Sequence, residues 1–287
     1  MTTSERFIFT SDDGRLHYNG FRASAIVGDL MFQWGQDVST ADKAQSFFYH
    51  REFGSRCHAM LVCCSRSNAR QAVPVQNRGA SEFVLDRGKD IDGYYPFYWF
   101  AVGDAPDTAQ DDPRSVSLGE TTLMWGDATS TSDKLERFEM PAALGVGVDA
   151  ALATVTKANV RAVLSISSFE GPAAKLTLNR HNDFSGAVDF NYVAVGASEG
   201  EQSRGVQDCG GFKLQWGQAV SDTDREQLFM MPEPFRDMDF AVFTSRSQSN
   251  TKAILPLARP INSNSFIVER NSAIDGAQSF YWLAIGF

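Results

Sequence analysis

The stretch "QSFYWLAIGF" at residues 278–287 places an almost unbroken apolar run at the last residues of the chain. Related stretches occur twice more, as "FYWFAVG" at 97–103 and "FNYVAVG" at 190–196. Each run is far shorter than the roughly 18 to 20 residues of a membrane-spanning helix, so it indicates a buried β-strand. The sequence therefore contains three copies of one β-rich unit, which we call the first, second and third repeat.

The spacing of other residues follows the same repeat. A Trp-Gly pair opens each copy, and the tryptophans are spaced 91 residues apart: Trp34, Trp125 and Trp216. Later in each copy an arginine stands six residues before a glycine and 10 residues before the phenylalanine of the closing strand. Because glycine adopts positive φ readily, this spacing predicts a β-hairpin with its turn at the glycine.

These patterns predict an all-β fold of three tandem antiparallel β-sandwich domains. Short helical turns are expected only at "TADKAQSFFY" and "DREQLF". The N-terminal extension is expected to form a leading hairpin, and segments rich in Gly, Pro, Ser, Asp and Gln are expected to be linkers. The predicted order is the extension with the first repeat (1–103), a linker (104–119), the divergent second repeat (120–196), a linker (197–211) and the third repeat (212–287).

The closing strands are apolar on both faces, although successive side chains of a strand point to opposite sides. One face is expected to cover the repeat's own core, and the other to meet the equivalent strands around an axis, as an intrachain pseudo-trimer. The outward rows are Tyr98, Phe100 and Val102; Val193 and Val195; and Tyr281, Leu283 and Ile285. The alternative is that a long loop or the N-terminal extension covers one such strand.

The charge and composition of the chain limit the classes of partner that we expect it to bind. The net charge of −9 argues against nucleic acid or an anionic membrane as a main partner, because clustered Lys and Arg make those contacts. The start, "MTTSERFIFT", lacks a signal-peptide pattern, and no segment has transmembrane length. We therefore expect synthesis in a cytoplasm and no membrane insertion.

The cysteines predict neither a disulfide framework nor a metal site. Cys57, Cys63, Cys64 and Cys209 are distributed unevenly over the repeats and are expected to be small buried side chains, with no cofactor. No C-x-x-C pair accompanies the nearby histidines. No catalytic motif is present, and no two of His17, His50, His58 and His181 occupy equivalent positions, so we expect no enzymatic activity. The three tryptophans are expected to anchor the core.

The Trp-Gly strand, the later "FIVER" at 266–270 and the final "FYWLAIG" resemble the small β-sandwich at the C-terminal tip of phage tail fibres, which is similar to the H-type lectin fold. The third repeat matches best, the first well and the second loosely. The resemblance implies a six-stranded antiparallel sandwich that works as a homotrimer and recognises carbohydrate or another cell-surface feature. The chain departs from that family by carrying three copies and no long fibrous shaft.

What the resemblance implies is a virion protein that contacts other tail proteins, a host-surface glycan or protein, and further copies of itself. If sugars bind, loop tips or grooves between repeats are the expected sites. The candidate ligand-binding residues are Asp92, Tyr94, Tyr95, His181, Asn182, Asp183, Asn271, Asp275, Arg87, Arg180 and Arg270. For the arginines, the alternative is an ion pair or carbonyl contact that shapes the hairpin.

Two functional hypotheses follow. The first is an adhesin at a tail tip or fibre. The second is a purely structural virion protein, such as a decoration, collar or baseplate-attached protein, that uses the same sandwich to hold its neighbours. Divergence among the three hairpin loops favours the adhesin slightly.

Overall fold

The fold is all-β, and the described part of the chain contains no helix, hence none that is long and apolar enough to cross a membrane. The computed structural model describes residues 2–10, 17–40, 44–65, 74–87, 93–111, 113–131, 135–140, 148–156, 165–170, 175–180, 186–197, 204–222, 226–247, 257–270 and 276–287.

Twenty-two strands follow one another in the described part of the chain. In the first repeat they are β1 (Thr2–Thr10), β2 (His17–Val27), β3 (Leu30–Ser39), β4 (Ala44–Phe48), β5 (Cys57–Cys64), β6 (Val75–Arg78), β7 (Glu82–Asp86) and β8 (Tyr95–Asp104). In the second they are β9 (Ser115–Leu118), β10 (Thr121–Ser130), β11 (Leu135–Glu139), β12 (Ala150–Val155), β13 (Ser165–Glu170), β14 (Lys175–Asn179) and β15 (Val188–Ala197). In the third they are β16 (Arg204–Asp208), β17 (Lys213–Ser221), β18 (Glu226–Met230), β19 (Ala241–Arg246), β20 (Leu257–Asn262), β21 (Ser265–Glu269) and β22 (Gln278–Gly286).

The same strand order occurs three times. The larger sheets run β2-β3-β8-β5, β9-β10-β15-β12 and β16-β17-β22-β19, and the smaller ones run β4-β7-β6, β11-β14-β13 and β18-β21-β20. All neighbouring strands are antiparallel. Among the described residues each repeat thus has seven strands, where the resemblance implied six, and the first repeat adds β1 as an eighth.

Two sequence expectations need correction. Segments 104–119 and 197–211, expected to be linkers, contain β9 and β16, the first strands of the sheets that follow them. Each of these two strands is only four or five residues long and carries polar side chains, so its composition does not distinguish it from a linker. The segments expected to form helical turns contain β4 and β18, whose side chains alternate in exposure as strands do.

The expected leading hairpin is present and extends the first large sheet. β1 pairs with β2 over its whole length, from Thr2 opposite Ala25 to Thr10 opposite His17. The ring of Phe7 lies directly over Gly20, where a Cβ atom would stand 2.2 Å from the ring. No other large sheet in the described part of the chain has a counterpart of β1.

The two faces of a closing strand enter different apolar clusters. In β8, Phe97 and Trp99 pack against the smaller sheet of the first repeat, whereas Tyr98 and Phe100 enter a second cluster to which all three repeats contribute. We call the second cluster the shared cluster. It also takes the outward rows of the other closing strands, Val193, Val195, Tyr281, Leu283 and Ile285. In the second repeat it is continuous with the sandwich core.

Three equivalent edge strands, β5, β12 and β19, contact one another inside the shared cluster. Each also contacts the closing strand of another repeat: β5 contacts β15, β12 contacts β22 and β19 contacts β8. Buried side chains at matching register positions on these three strands form two layers, Ala59, Ala150 and Ala241, then Leu61, Leu152 and Phe243. The edge strand of the first repeat therefore contacts the second repeat, that of the second contacts the third, and that of the third contacts the first, in one cyclic order.

The tryptophans of the Trp-Gly pairs are buried as predicted, but they belong to the shared cluster. Trp34 Nε1 donates to the carbonyl of Asp239 in the third repeat at 3.2 Å. Trp216 Nε1 donates to Oδ2 of Asp149 in the second repeat at 3.2 Å. The tryptophan of the second repeat stacks on His58 in the first, with ring centroids 6.4 Å apart. Each indole therefore reaches the start of the edge strand of another repeat.

Candidate functional site

Six of the predicted ligand-binding residues lie outside the described residues: Asp92, His181, Asn182, Asp183, Asn271 and Asp275. Two tyrosines of the first hairpin loop are described. Tyr95 is buried, and burial raises the pKa of its phenol well above the usual value. Tyr94 is half-buried and meets Phe9 of β1 edge-on, with ring centroids 5.6 Å apart. The structure thus brings Tyr94 to the N-terminal hairpin, and its role in binding stays a prediction.

The three repeated arginines are buried at the base of the hairpins. Arg87 Nη1 donates to the carbonyls of Ser39 at 3.1 Å and Gly93 at 2.5 Å. The arginines of the other repeats make the corresponding bonds, Arg180 to Ser130 and Gly186, and Arg270 to Gly276 at 2.6 Å. The three turn glycines have positive φ, as the spacing predicted: Gly93, Gly186 and Gly276. These contacts match the alternative in which the arginines shape the hairpin.

A wide groove lies between the N-terminal hairpin and the third repeat. One side is formed by residues 6–8 of β1 and 19–21 of β2, with Gln36 and Tyr98 beside them. The opposite side is formed by residues 236–239 and by the turn at 260–263. The volume of the groove is about 1210 Å³. We call this feature the interface groove.

The charged side chains of the interface groove are paired across it or within its wall. Arg6 Nε donates to both carboxylate oxygens of Asp239, at 3.1 and 2.8 Å, and this contact raises the pKa of Arg6. Arg236 lies 3.4 Å from the carboxylate of Asp237. The groove therefore presents two ion pairs and no net charge from these four residues.

Aliphatic side chains give the interface groove an exposed apolar surface. Ile8 on β1 is 71% exposed, and Met238 and Ile261 on the opposite side are 43% and 39% exposed. Single exposed apolar residues are ordinary on protein surfaces. Three that line the same concave surface are typical of a binding site.

The aromatic rings of the groove are already engaged. The guanidinium of Arg22 lies 5.0 Å from the centroid of the Phe7 ring, and Asp37 holds Arg22 through two hydrogen bonds. Tyr98 is buried, and its hydroxyl accepts from Gln36 Nε2 at 2.7 Å. The register places the Phe7 ring on the face of β1 opposite Arg6 and Ile8, so of these two rings only that of Tyr98 belongs to the floor of the groove.

The corresponding contact between the first and second repeats is bridged by an arginine. Asp127 of β10 occupies the position that Gln36 holds in β3, and Arg78 Nη2 donates to both of its oxygens at 2.7 and 2.9 Å. Arg78 Nη1 also donates to the carbonyl of His58 at 3.0 Å. An arginine thus spans each of these two contacts, and the contact with the third repeat differs in having the extra strand β1 beside it.

The sequence carries no signal for a hydroxyl–imidazole–carboxylate chain, because its histidine has no equivalent in the other repeats. Thr3 Oγ1 lies 3.0 Å from His50 Nε2 and 2.9 Å from Ser24 Oγ, and His50 Nδ1 lies 3.5 Å from Glu5. This is the order of groups used in nucleophilic catalysis. The Thr3 hydroxyl is shared with the buried side chain of Ser24. In this structure the chain of contacts therefore connects β1 to the loop after β4.

The cysteines are free, and three of them are buried as predicted: Cys57, Cys63 and Cys64. Burial raises the pKa of the Cys57 and Cys63 thiols. Among the described residues, no group of three or more His, Cys, Asp or Glu side chains is arranged to hold a metal ion.

Comparisons with known proteins give no relative. The chain matches no protein family, no curated protein and no solved structure. The resemblance of the repeats to the tail-fibre tip domain stays a prediction.

Proposed function

We propose that the protein is a virion protein of the tail-fibre or tail-tip type that recognises a host-cell surface, and that the interface groove is its recognition site. It is made in the host cytoplasm and assembles with other tail proteins. Its role is binding, not catalysis. The single observation that carries the proposal is a concave surface with exposed apolar residues, formed at the one contact that β1 overhangs.

We further propose that the three repeats are tandem sandwich domains arranged as an intrachain pseudo-trimer. The support is the cyclic order of the contacts of β5, β12 and β19 and the reach of each Trp-Gly indole into another repeat. In this arrangement the shared cluster lies on the pseudo-threefold axis. The groove is then a site between domains, where ligand sites are common.

The adhesin proposal is tested with purified protein on a panel of bacterial cells and on a glycan array. Ile8→Asp and Met238→Asp place a carboxylate on either side of the groove, and we expect each to lower binding at least tenfold. Phe48→Asp is the matched control, because Phe48 is 58% exposed on β4 and does not line the groove. The proposal is wrong if no cell or glycan is bound while particles incorporate the protein normally.

A structural role is the second candidate, and one observation favours it. The outermost strands β4, β11 and β18 of the smaller sheets carry large exposed apolar side chains: Phe48, Leu135, Leu228 and Met230. An exposed edge strand of this kind is a ready surface for a neighbouring subunit. If Leu228→Lys abolishes incorporation into particles while free protein binds no host surface, the structural role is correct.

A further inference from the structure

We infer that two copies of this chain associate through β1, whose free edges pair as antiparallel strands around a twofold axis at Ile8. The pairing joins the first large sheets of the two copies into one continuous sheet. This association goes beyond the proposed recognition role and does not depend on which ligand the interface groove takes.

β1 offers an accessible free edge. It is the terminal strand of its sheet and pairs with β2 alone, through nine consecutive residues without a register shift. Backbone groups of alternate residues therefore point away from β2, in the plane of the sheet. Of the backbone hydrogen bonds outside the ladders in the described part of the chain, none reaches residues 2–10. Ile8 is 71% exposed on one face of the strand, and the side chain of Glu5 is 51% exposed on the other.

The other edge strands of the described sheets have features that discourage pairing. β4, β9, β11, β16 and β18 are only four or five residues long. β6, β13 and β20 shift register against their neighbours, and β5, β12 and β19 are covered by contacts between repeats. β1 is nine residues long and regular, and it contains no proline, glycine or lysine. Among the described strands it is therefore the free edge most open to another strand.

The side chains of β1 match those of a second copy. In antiparallel strands, directly opposite residues lie on the same face, and a twofold axis perpendicular to the sheet keeps each residue on the same face in both copies. With the axis at Ile8, this residue is opposite its own equivalent, and Phe7 of each copy is opposite Phe9 of the other. Every position of segment 7–9 is then opposite an apolar residue.

The neighbouring registers are less favourable. An axis at Arg6 or at Glu5 sets like charges directly opposite each other, which destabilises a pair of strands. An axis at Phe7 sets Arg6 opposite Ile8 and Glu5 opposite Phe9. A strand of another protein would need its own apolar run to match residues 7–9, whereas a second copy supplies that run by symmetry.

The twofold axis also orients the interface grooves. Each groove lies over the face of β1 and β2 that carries Arg6, Ile8 and Phe21. Because the axis is perpendicular to the joined sheet, this face points the same way in both copies. The dimer therefore presents two grooves to one side, an arrangement that strengthens attachment to a surface carrying many copies of a ligand.

The test is sedimentation velocity of the full chain over a concentration series. A short edge pairing is a small interface, so we expect a dimer of micromolar affinity. Ile8→Lys should weaken the dimer at least tenfold, because it sets two ammonium groups opposite each other at the axis. Phe48→Asp on β4 and Met238→Asp on the far wall of the groove are the matched controls and should leave it intact. Thermal unfolding checks that each variant is folded, and Ile8→Lys is the form in which the shape of a single chain is measured.

The register is tested with a nitroxide at Ser4, attached through Ser4→Cys in a Cys209→Ser background, since the other three cysteines are buried. With the axis at Ile8, the two labelled residues are offset by about eight positions, which separates their backbones by about 26 Å at about 3.3 Å per residue. An axis at Arg6 would give about half that distance. Double electron–electron resonance measures the separation.

The inference fails if the chain stays monomeric at its highest soluble concentration, or if Ile8→Lys leaves a dimer intact. It also fails if Phe48→Asp dissociates the dimer, which would place the contact on the smaller sheets, or if the label separation does not fit an axis at Ile8. A dimer with these properties that binds no cell and no glycan would leave this inference standing and refute the adhesin proposal.

Discussion

Arg87 and its two equivalents show how one side chain fixes a loop in each repeat. A single guanidinium nitrogen bridges the carbonyl that ends one strand and the carbonyl of the turn glycine, inside a buried site. Each arginine replaces the water that these carbonyls would otherwise bind. These contacts give each repeated arginine a role in the fold, and a role in ligand binding stays a prediction.

Arg87→Ala is expected to lower the free energy of unfolding by about 3 kcal/mol, because two buried carbonyls lose a charged donor. Urea denaturation followed by tryptophan fluorescence measures it. Arg87→Lys should recover part of the loss, and Arg204→Ala, at an exposed position, should change the midpoint little. An unchanged midpoint for Arg87→Ala would show that the arginine is not structural.

At the scale of single elements, the N-terminal hairpin depends on one glycine. A side chain at Gly20 would meet the Phe7 ring at 2.2 Å and the Gln36 carbonyl at 2.8 Å. The Phe7 ring would have to leave its place over β2, and the Gln36 carbonyl is backbone, so it can move only if the β2–β3 ladder opens. The hairpin that overhangs the interface groove therefore requires the smallest residue at this position.

Gly20→Val is expected to detach β1 while the rest of the first large sheet stays intact. Hydrogen–deuterium exchange should show at least a tenfold loss of protection over residues 2–10, with little change over 95–104. Gly28→Asn is the control, since Gly28 has a φ of 59° and open space around it, and asparagine tolerates that conformation. Equal protection of β1 in the two variants would contradict this account.

The smaller sheet of the third repeat contains an unfavourable carboxylate. Burial raises the pKa of Glu269, and so does the charge of Glu226 directly opposite it, while Arg259 acts in the other direction. A carboxyl whose pKa is higher in the folded state destabilises the fold when ionised. This penalty is present at neutral pH and disappears as the pH falls below the ordinary pKa of glutamate.

Glu269→Gln should therefore stabilise the protein at pH 7, by less than about 1 kcal/mol because solvent screens the site. The gain should vanish near pH 3, where the wild-type carboxyl is protonated. Urea midpoints at both pH values measure it, with Glu120→Gln in an exposed turn as the control. A gain that persists at pH 3 would exclude the electrostatic explanation.

The elements also show how far the sequence can be interpreted. The closing strands and the turn glycines could be predicted because each has a local pattern: two apolar faces, or a residue that tolerates positive φ. β9 and β16 could not, since four or five partly polar residues carry no clear period. The interface groove had no signal at all, because its ion pair joins Arg6 to Asp239, 233 positions away.

For the whole molecule, the shared cluster couples the three repeats. Leu152 of β12 is buried among residues from all three repeats, opposite Val193 in its own sheet. In the pseudo-trimer that we propose, no sandwich can unfold without exposing apolar surface of the other two. Unfolding should then be a single cooperative event.

Leu152→Ala is expected to shift one calorimetric transition to lower temperature, with a loss of about 2 to 5 kcal/mol. Leu135→Ala, at a position that is 53% exposed, should leave the transition in place. Small-angle X-ray scattering should give a radius of gyration of about 19 Å for a compact chain of this length. Three separate transitions or a clearly extended particle would contradict the pseudo-trimer.

β1 has no counterpart in the other two large sheets of the described residues, and this bears on how many ligands one chain can hold. A homotrimer of single sandwiches carries every substitution three times, so an added strand would create three identical sites. In a fused chain each contact between repeats can change independently, as the contact bridged by Arg78 and Asp127 and the interface groove already do. A ligand of the interface groove is therefore expected to bind once per chain in a titration.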